Sequence, residues 1–463
     1  MRVVLVNPLV PSGLQRHRLD GAAHLGLAYV AAALMKRGHE VHLVDAKTER
    51  LNLPQIVARI KQYEPRIVGS TAMTHEICYV GELFTAVKEV CLQCVTMVGG
   101  PHSTALPERT IHEFPAIDVA VSGEGEETAC ELADAVESSA RRYEWQSILG
   151  IAYRDSGEVH RTAPRPWIGN LDSLPMPAWE LFPPNIPWPV FASRGCPFRC
   201  AFCQRVLGSK VRLRSVDNVL AEFDELERRL GKKGTWFQDE TFGVNRPWMD
   251  EFLDKLNRRN ERRGDKWSWG CNSRVNLASP DVYLRMKEAG CNTVGFGIES
   301  GDQTILDRIH KGIRLDNVRE ALRFAKEAGL RVDAFFIIGH PGETWRSALR
   351  TVQFAPLCGA DSIAVGIMVP YPGTEIWDLA KKGECGYRLL TEDWRAYDKY
   401  FGSALELQSL SRRKLEFLQA LTYLWFYVRR GRFGDLLRFV RRFSKDAMAF
   451  LWKMLFSARR SNV

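Results

Sequence analysis

The sequence predicts an α/β protein in three parts: a doubly wound parallel sheet, a second run of β/α units forming a partial (β/α)6 barrel, and a helical tail. Three observations carry this. Short β-branched runs alternate with helical stretches over residues 1–140. After a proline-rich interruption, the alternation resumes at Val190. From Leu405 onward the pattern is helical, aromatic and basic. Alternation of this kind argues for parallel sheets covered by helices. The chain has 463 residues, and at about 100–200 residues per domain two to three domains are expected. The divisions fall at 1–140, 141–189, 190–400 and 401–463.

In the first part Arg2–Asn7 is an apolar strand, His24–Lys36 is helical and ends before Gly38, and Glu40–Asp45 is the second strand. Arg66–Ser70, Val95–Val98 and Asp118–Val121 are further short strands. Ligands of such sheets sit beyond the C-terminal strand ends. Three loops fall there: Gly69-Ser70-Thr71, Gly99-Gly100-Pro101-His102-Ser103 and Ser122-Gly123-Glu124-Gly125-Glu126. Their spacing is not that of a dinucleotide fingerprint.

Residues 141–189 read as a connection. Ile148–Arg154 and Glu158–Thr162 form a hairpin around Asp155-Ser156-Gly157. Eight of the 22 prolines follow between Pro164 and Pro189, which excludes a long helix or a central strand.

In the core, Phe191–Ser193, Thr235–Gln238, Trp267–Cys271, Thr293–Ile298, Val332–Ile338 and Ser362–Ile367 are six candidate strands. Val216–Leu230, Asp281–Ala289 and Asp316–Ala328 are among the intervening helices. The first strand leads into Cys196, Cys200 and Cys203, spaced C-x3-C-x2-C. Three thiolates this close can hold an iron–sulfur cluster and leave one iron of a cubane open. The alternatives are a zinc site, which would want a fourth nearby Cys or His that is missing here, or three unrelated thiols. Polar residues gather at the other strand ends: Gln238–Thr241, Asn272–Arg274, Glu299–Gly301 and Gly339–Thr344. Thr344 or Glu343 also reads as a helix cap. Cys91 and Cys94 form a CxxC between a helix and a strand, and read as core thiols.

Eleven cysteines, an odd number, and a chain that runs from Met1 straight into a strand point to reduced thiols and a cytoplasmic protein. The net charge of +9 is confined to the tail, where Leu405–Val463 holds thirteen Lys/Arg against four Asp/Glu. A whole-protein case for nucleic acid therefore fails. Leu415–Val428 is apolar but too short to span a bilayer. After Gly434, Arg438, Arg441, Arg442 and Lys445 share one helical face, opposite Leu436, Val440, Phe443 and Phe450. Such a helix lies either in an anionic membrane interface or packed on the core with its arginines in water.

The cysteine loop, with Phe202 before its last cysteine, resembles the radical S-adenosylmethionine (SAM) superfamily. His24-Leu-Gly-Leu-Ala-Tyr-Val-Ala-Ala-Ala-Leu, Gly99-Gly-Pro-His-Ser and Ser122-Gly-Glu-Gly-Glu resemble the cobalamin-binding domain that precedes many of its cores. The resemblance covers roughly residues 1–400 and implies three cofactors: a [4Fe-4S] cluster on Cys196, Cys200 and Cys203, SAM, and cobalamin. It implies SAM contacts at Phe202, Glu240, Arg274, Glu299, Ser300 and Gly339. It implies cobalamin contacts at Ser70, Thr71, Gly99, Gly100, Ser122, Gly123 and Gly125. The Asp-x-His-x-x-Gly string that supplies cobalt with a lower histidine is missing, and His75 and His102 are the nearest substitutes. A strand-end histidine is more ordinarily a hydrogen-bonding or capping residue.

The implied activity is methylation of an unactivated carbon by a 5′-deoxyadenosyl radical and methylcobalamin. Radical cyclisation or rearrangement of a hydrophobic or natural-product substrate, and a cobalamin- or redox-responsive binding protein, are the alternatives. The implied partners are a small-molecule substrate, an electron donor such as flavodoxin or ferredoxin, and a membrane surface for the tail. No residue in the sequence identifies a catalytic acid or base.

Overall fold

Two parallel sheets, built one after the other along the chain, carry the architecture. The computed structural model describes residues 1–9, 22–138, 142–277, 279–400 and 402–442. The first sheet contains β1 (Arg2–Asn7), β2 (Glu40–Asp45), β3 (Ile67–Thr71), β4 (Val95–Gly99), β5 (Val119–Val121), β6 (Ile151–Asp155) and β7 (Glu158–Arg161), in the order β2-β1-β3-β4-β5-β6-β7. Its helices are α1 (Leu25–Lys36), α2 (Leu53–Gln62), α3 (Ile77–Val90) and α4 (Glu126–Glu137). Alternation along β1 decides which helices cover which face. Val3 and Leu5 share a core with Leu27, Ala31 and Leu132, whereas Val4 and Val6 share one with Ile56, Ile60 and Phe84. Both faces are thus buried, as a parallel sheet requires.

The hairpin assigned to the 141–189 connection belongs to this sheet instead. β6 pairs antiparallel with β5, Val121 opposite Ile151, and β7 pairs with β6. The turn between them puts Ser156 at φ 49° and Gly157 at φ 89°, the left-handed pair whose twist suits a two-residue hairpin. Without β6, β5 would present an open edge. The proline-rich segment beyond is pinned by Trp179, Phe182 and Trp188, which pack edge to face in the core.

The second sheet contains β8 (Pro189–Val190), β11 (Gly234–Phe237), β12 (Ser268–Ser273), β13 (Cys291–Glu299), β14 (Arg331–Ile338) and β15 (Ser362–Ile367), side by side in chain order and parallel throughout. A short antiparallel ribbon, β9 (Ser193–Arg194) with β10 (Arg212–Leu213), closes the base of the cysteine loop. Helices α5 (Val216–Leu230), α6 (Arg246–Arg263), α7 (Pro280–Glu288), α8 (Leu315–Glu327) and α9 (Trp345–Leu357) separate the strands. The first core strand, expected at Phe191–Ser193, is shorter and earlier. Pro189 lacks a backbone donor, and β8 is an edge strand where that is tolerated.

Helix α10 (Arg412–Arg429) seals the opposite edge of the partial barrel. On β15, Val365 donates its N–H to the Tyr423 hydroxyl (2.9 Å) and accepts from Gln419 Nε2 (2.8 Å). Leu415, Leu418 and Phe426 of α10 are buried in the core. Helix α11 (Phe433–Arg442) follows and holds Arg438, Arg441 and Arg442; Lys445, Phe443 and Phe450 lie outside the described residues. Among the described residues no helix is long and apolar enough to cross a membrane.

Candidate active site

Glycine sets the neck of the cysteine loop. Gly195 sits at φ +94°, and a Cβ there would lie 2.3 Å from the Lys210 carbonyl oxygen. No other residue fits that approach. The Gly195 N–H donates to Glu240 Oε2 at 2.6 Å, and the Cys196 N–H to the Gly208 carbonyl at 3.1 Å. Asp239 braces the segment before it, accepting from the Ala192 N–H (2.9 Å) and the Ser193 hydroxyl (2.5 Å). Burial pushes the Asp239 carboxyl up to about 6. Glu240, expected at SAM, is therefore at least in part a buttress of the loop.

The three thiols grade from buried Cys196 through half-buried Cys200 to exposed Cys203. Desolvation raises the Cys203 thiol, against the Arg205 N–H, and the Cys200 and Cys196 thiols add to the rise. Among the described residues no three His, Cys, Asp or Glu side chains converge on a single metal ion. A cubane holds its thiolates farther apart than one ion does, so a three-thiol loop fits the larger group. Arg274 Nη1 donates to Cys200 Sγ at 3.6 Å, and its guanidinium lies 3.7 Å over the Phe198 ring. Arg274 Nε and Asn272 Oδ1, both buried at the end of β12, have no protein partner. Arg274 Nε, an orphaned donor on the side chain that reaches Cys200, is what a bound polar ligand would satisfy.

Glu299 ends β13 at φ +73°, a strained position for a non-glycine residue. Lys311 Nζ donates to its Oε1 at 2.8 Å, with both side chains buried. Phe202 lies between this pair and His340, 5.8 Å from Lys311 Nζ and 6.4 Å from the imidazole. Ser300, expected at SAM, has its side chain turned to protein partners. It is fully buried, 3.2 Å from the Thr351 hydroxyl and accepting from the Asp302 N–H at 3.1 Å, so its hydroxyl is already engaged. Gly339 and His340 both donate their N–H groups to Glu343 Oε2, at 2.6 and 3.2 Å. Burial pushes the Glu343 carboxyl up to about 7 against those two bonds. Thr344, not Glu343, caps α9, in a capping box with Ser347.

An open cleft, about 1330 Å³ of empty space with the solvent at its mouth included, runs from the first sheet to the cysteine loop. Ser70, Thr71, Gly99, Gly100, Gly123 and Gly125 all line it. Ser122 does not: its hydroxyl donates to the Ser103 carbonyl at 3.3 Å. A Cβ at Gly99 would project into open space, whereas one at Gly100 (φ +98°) would lie 2.7 Å from Thr71 Oγ1. The cleft is a glycine-lined cradle with apolar walls such as Leu5, Met97 and Val121, which suits a large flat ligand edge.

Neither proposed histidine lines it. His102 is buried against Trp394, ring centroids 5.0 Å apart, and burial, with Arg109 adding, lowers its imidazole to about 3. His75 neighbours Glu76, 3.9 Å away. His24, the first residue of the helical piece that resembles the cobalamin-binding domain, does line the cleft. Its Nδ1 accepts the Leu27 N–H at 3.2 Å as the cap of α1, which leaves the ring proton on Nε2. In that tautomer His24 has no lone pair to offer a metal.

A cradle of glycines in one cleft, whose far wall is the chain on either side of a loop of three thiols (Ser193, Arg194, Val206 and Leu207), defines a class of enzymes that set a large cofactor beside an iron–sulfur centre. Residues 190–355 match the radical SAM superfamily and residues 21–133 the B12 binding domain. An uncharacterized methyltransferase of Pyrococcus horikoshii is 36% identical over 438 residues, covering 93% of each chain. An anaerobic magnesium-protoporphyrin IX monomethyl ester cyclase of Cereibacter sphaeroides is 30% identical over 81% of this chain and 63% of that relative. The radical SAM methyltransferase TsrM of Kitasatospora setae, solved with cobalamin and a [4Fe-4S] cluster, shares the fold at a TM-score of 0.73 and 16% identity, over 92% of this chain and 88% of that one. The chain belongs to the cobalamin-dependent radical SAM enzymes, with a [4Fe-4S] cluster, SAM and cobalamin as its cofactors.

Proposed function

We propose that this enzyme methylates an unactivated carbon of a hydrophobic small molecule. One observation carries the reading: a single cleft is bounded by Gly99 and Gly123 on one side and by Ser193, Arg194 and Gln238, next to the cysteine loop, on the other. The cofactors supply radical formation and methyl transfer when bound; the protein's share is to hold them and exclude water. In this reading Cys196, Cys200 and Cys203 hold the cluster. Arg274, hydrogen-bonded to Cys200 and with Nε unpartnered, offers donors to the SAM carboxylate. Glu299, held by Lys311, faces the ribose or ammonium, and Phe202 and Gly339 flank the nucleoside. The glycines at 99, 100, 123 and 125, with Ser70 and Thr71, hold cobalamin. Exposed Cys203 marks the side on which a flavodoxin or ferredoxin delivers electrons.

The tail adds a membrane contact. Phe417, Leu424, Trp425, Val428, Phe433 and Leu437 are exposed on α10 and α11, and Arg413 and Lys414 share a shallow pocket with Phe417. Such a face suits a peripheral helix at an anionic surface.

The test is anaerobic reconstitution with cluster and cobalamin, then incubation with methyl-deuterated SAM and candidate hydrophobic substrates. A product carrying the labelled methyl group is expected. The likeness to the ester cyclase favours a second reading, radical cyclisation, which would give a product without the labelled methyl group. Absence of any reductive SAM cleavage would remove both.

A further inference from the structure

We infer that a buried four-charge clamp, Glu124 of the loop after β5 and Glu126 at the start of α4 with Arg194 and Arg212 of the ribbon β9–β10, positions the cysteine loop against the cobalamin cleft and makes occupancy of either site favour the other. The inference rests on the reading that both cofactors bind as proposed. The ribbon register places Arg194 directly opposite Arg212. Like charges opposed across two strands repel, so this pairing needs an anion between them. The anion comes from the other domain. Glu124 Oε1 accepts from Arg194 Nη1 and Arg212 Nη1, each at 2.8 Å, and Glu126 Oε1 accepts from Arg194 Nη2 at 2.6 Å. All four side chains are more than nine-tenths buried.

The surroundings fix the geometry. Glu124 Oε2 also accepts the Ile168 N–H at 2.7 Å, and Arg212 Nη2 donates to the Leu207 carbonyl at 2.9 Å. Arg194 lies 4.6 Å over Phe191 and 5.3 Å over Tyr29. Apolar residues of similar volume would serve stability as well as buried ion pairs do, so the charges are better explained by the registry they impose.

The clamp touches both sites. Glu124, Glu126 and Arg194 are walls of the cleft, and Arg194 stands two residues before Cys196. A ligand in the cleft contacts the carboxylates, and a cluster that orders Cys196–Cys203 fixes the guanidinium. Coupling of that kind is reciprocal. The four are positioning residues, with no part in bond making.

The test compares the hydroxocobalamin dissociation constant of the full chain with and without a reconstituted cluster. In the wild type the cluster should tighten binding at least about fivefold, the lower end of ordinary coupling. In Arg194→Lys, which keeps the charge and loses the fork, the ratio should fall to about one, with the variant's own cluster-free constant as its reference. Glu126→Gln, which leaves Glu124 on both guanidinium groups, should lower the ratio part of the way. A wild-type ratio of one, or an unchanged ratio in both variants, overturns the inference while leaving the cofactor assignments intact. Loss of a cooperative thermal transition in both variants also overturns it, reducing the clamp to a fold brace. A wild type that binds no cobalamin in either state overturns the cofactor reading itself.

Discussion

The two sheets present their strand ends by opposite means. In the first, the order β2-β1-β3 places successive strands on both sides of β1, and the crevice at such a switch point receives the ligand. Its rim is nearly bare backbone, with glycines at 99, 100, 123 and 125. In the second, strands follow one another without reversal, and the ends carry charge: Asp239, Glu240, Arg274 and Glu299. A rim of backbone admits a broad ligand closely and is damaged by adding atoms. A rim of charged side chains orients small polar groups and is damaged by removing them.

The largest test of that contrast removes thiols from the second sheet. Cys196→Ala, Cys200→Ala or Cys203→Ala should each lower reductive SAM cleavage by about 10³-fold or more, ~4 kcal/mol of barrier. Cobalamin binding, read by its visible spectrum, should survive; parallel loss of both would erase the contrast.

The next test uses titration, whose sign differs between the regions. His102, lowered to about 3, belongs to the first sheet's side. Its neutral form is favoured by folding, so its contribution is complete above pH 6.5 and is lost as pH falls toward 3, up to about 5 kcal/mol. Glu343, raised to about 7, belongs to the second. Folding favours its protonated form, so its contribution is present below pH 4.5 and is lost as pH rises through 7, about 3 kcal/mol. Between pH 4.5 and 6.5 the two oppose each other. Thermal midpoints should therefore climb on acidification across that window in His102→Leu and fall in Glu343→Gln. The same slope in both variants would refute the assignment.

Adding one carbon to the first rim should be milder. Gly100→Ala, at a positive φ and beside Thr71, should weaken cobalamin binding about 10-fold, ~1.4 kcal/mol, and leave iron content unchanged. An equal drop in iron would show that the rim acts on the cluster loop generally.

The smallest expected effects are none. His75→Ala and His102→Ala should leave the electron paramagnetic resonance spectrum of bound cob(II)alamin free of nitrogen hyperfine splitting, as in the wild type, since neither lines the cleft. Paired replacement of Cys91 and Cys94 should spare both cofactors. Cys94 is buried in the core, where desolvation pushes its thiol up to about 11.

What the sequence made legible follows from range. Periodicity and glycines are local, so Arg2–Asn7, Glu40–Asp45, Val216–Leu230 and Ser362–Ile367 stand in the structure with the bounds that pattern alone assigns. The cysteine loop is equally local. The β6–β7 hairpin was readable as a hairpin but not as a sheet edge, because its partner β5 lies about thirty residues upstream. The engaged hydroxyls of Ser122 and Ser300 depend on Ser103 and Thr351, which no spacing rule connects to them. Arg194 and Glu124 read singly as ordinary loop charges. Only the ribbon register, which sets two arginines face to face, reveals why the carboxylates are there. The cap at His24 had a signal: a histidine immediately before the first helix-forming residue.

Val365 has a consequence for how the molecule is made. Its N–H donates to Tyr423 and its C=O accepts from Gln419, both more than fifty residues later in the chain. While translation is still short of α10, the emerging barrel carries a bare strand margin of the kind that recruits neighbouring chains. Helix α10 is thus the last stave fitted to this sheet. A transcript cut before Gln419 should yield inclusion bodies even though every cofactor-binding residue named above has already been synthesised.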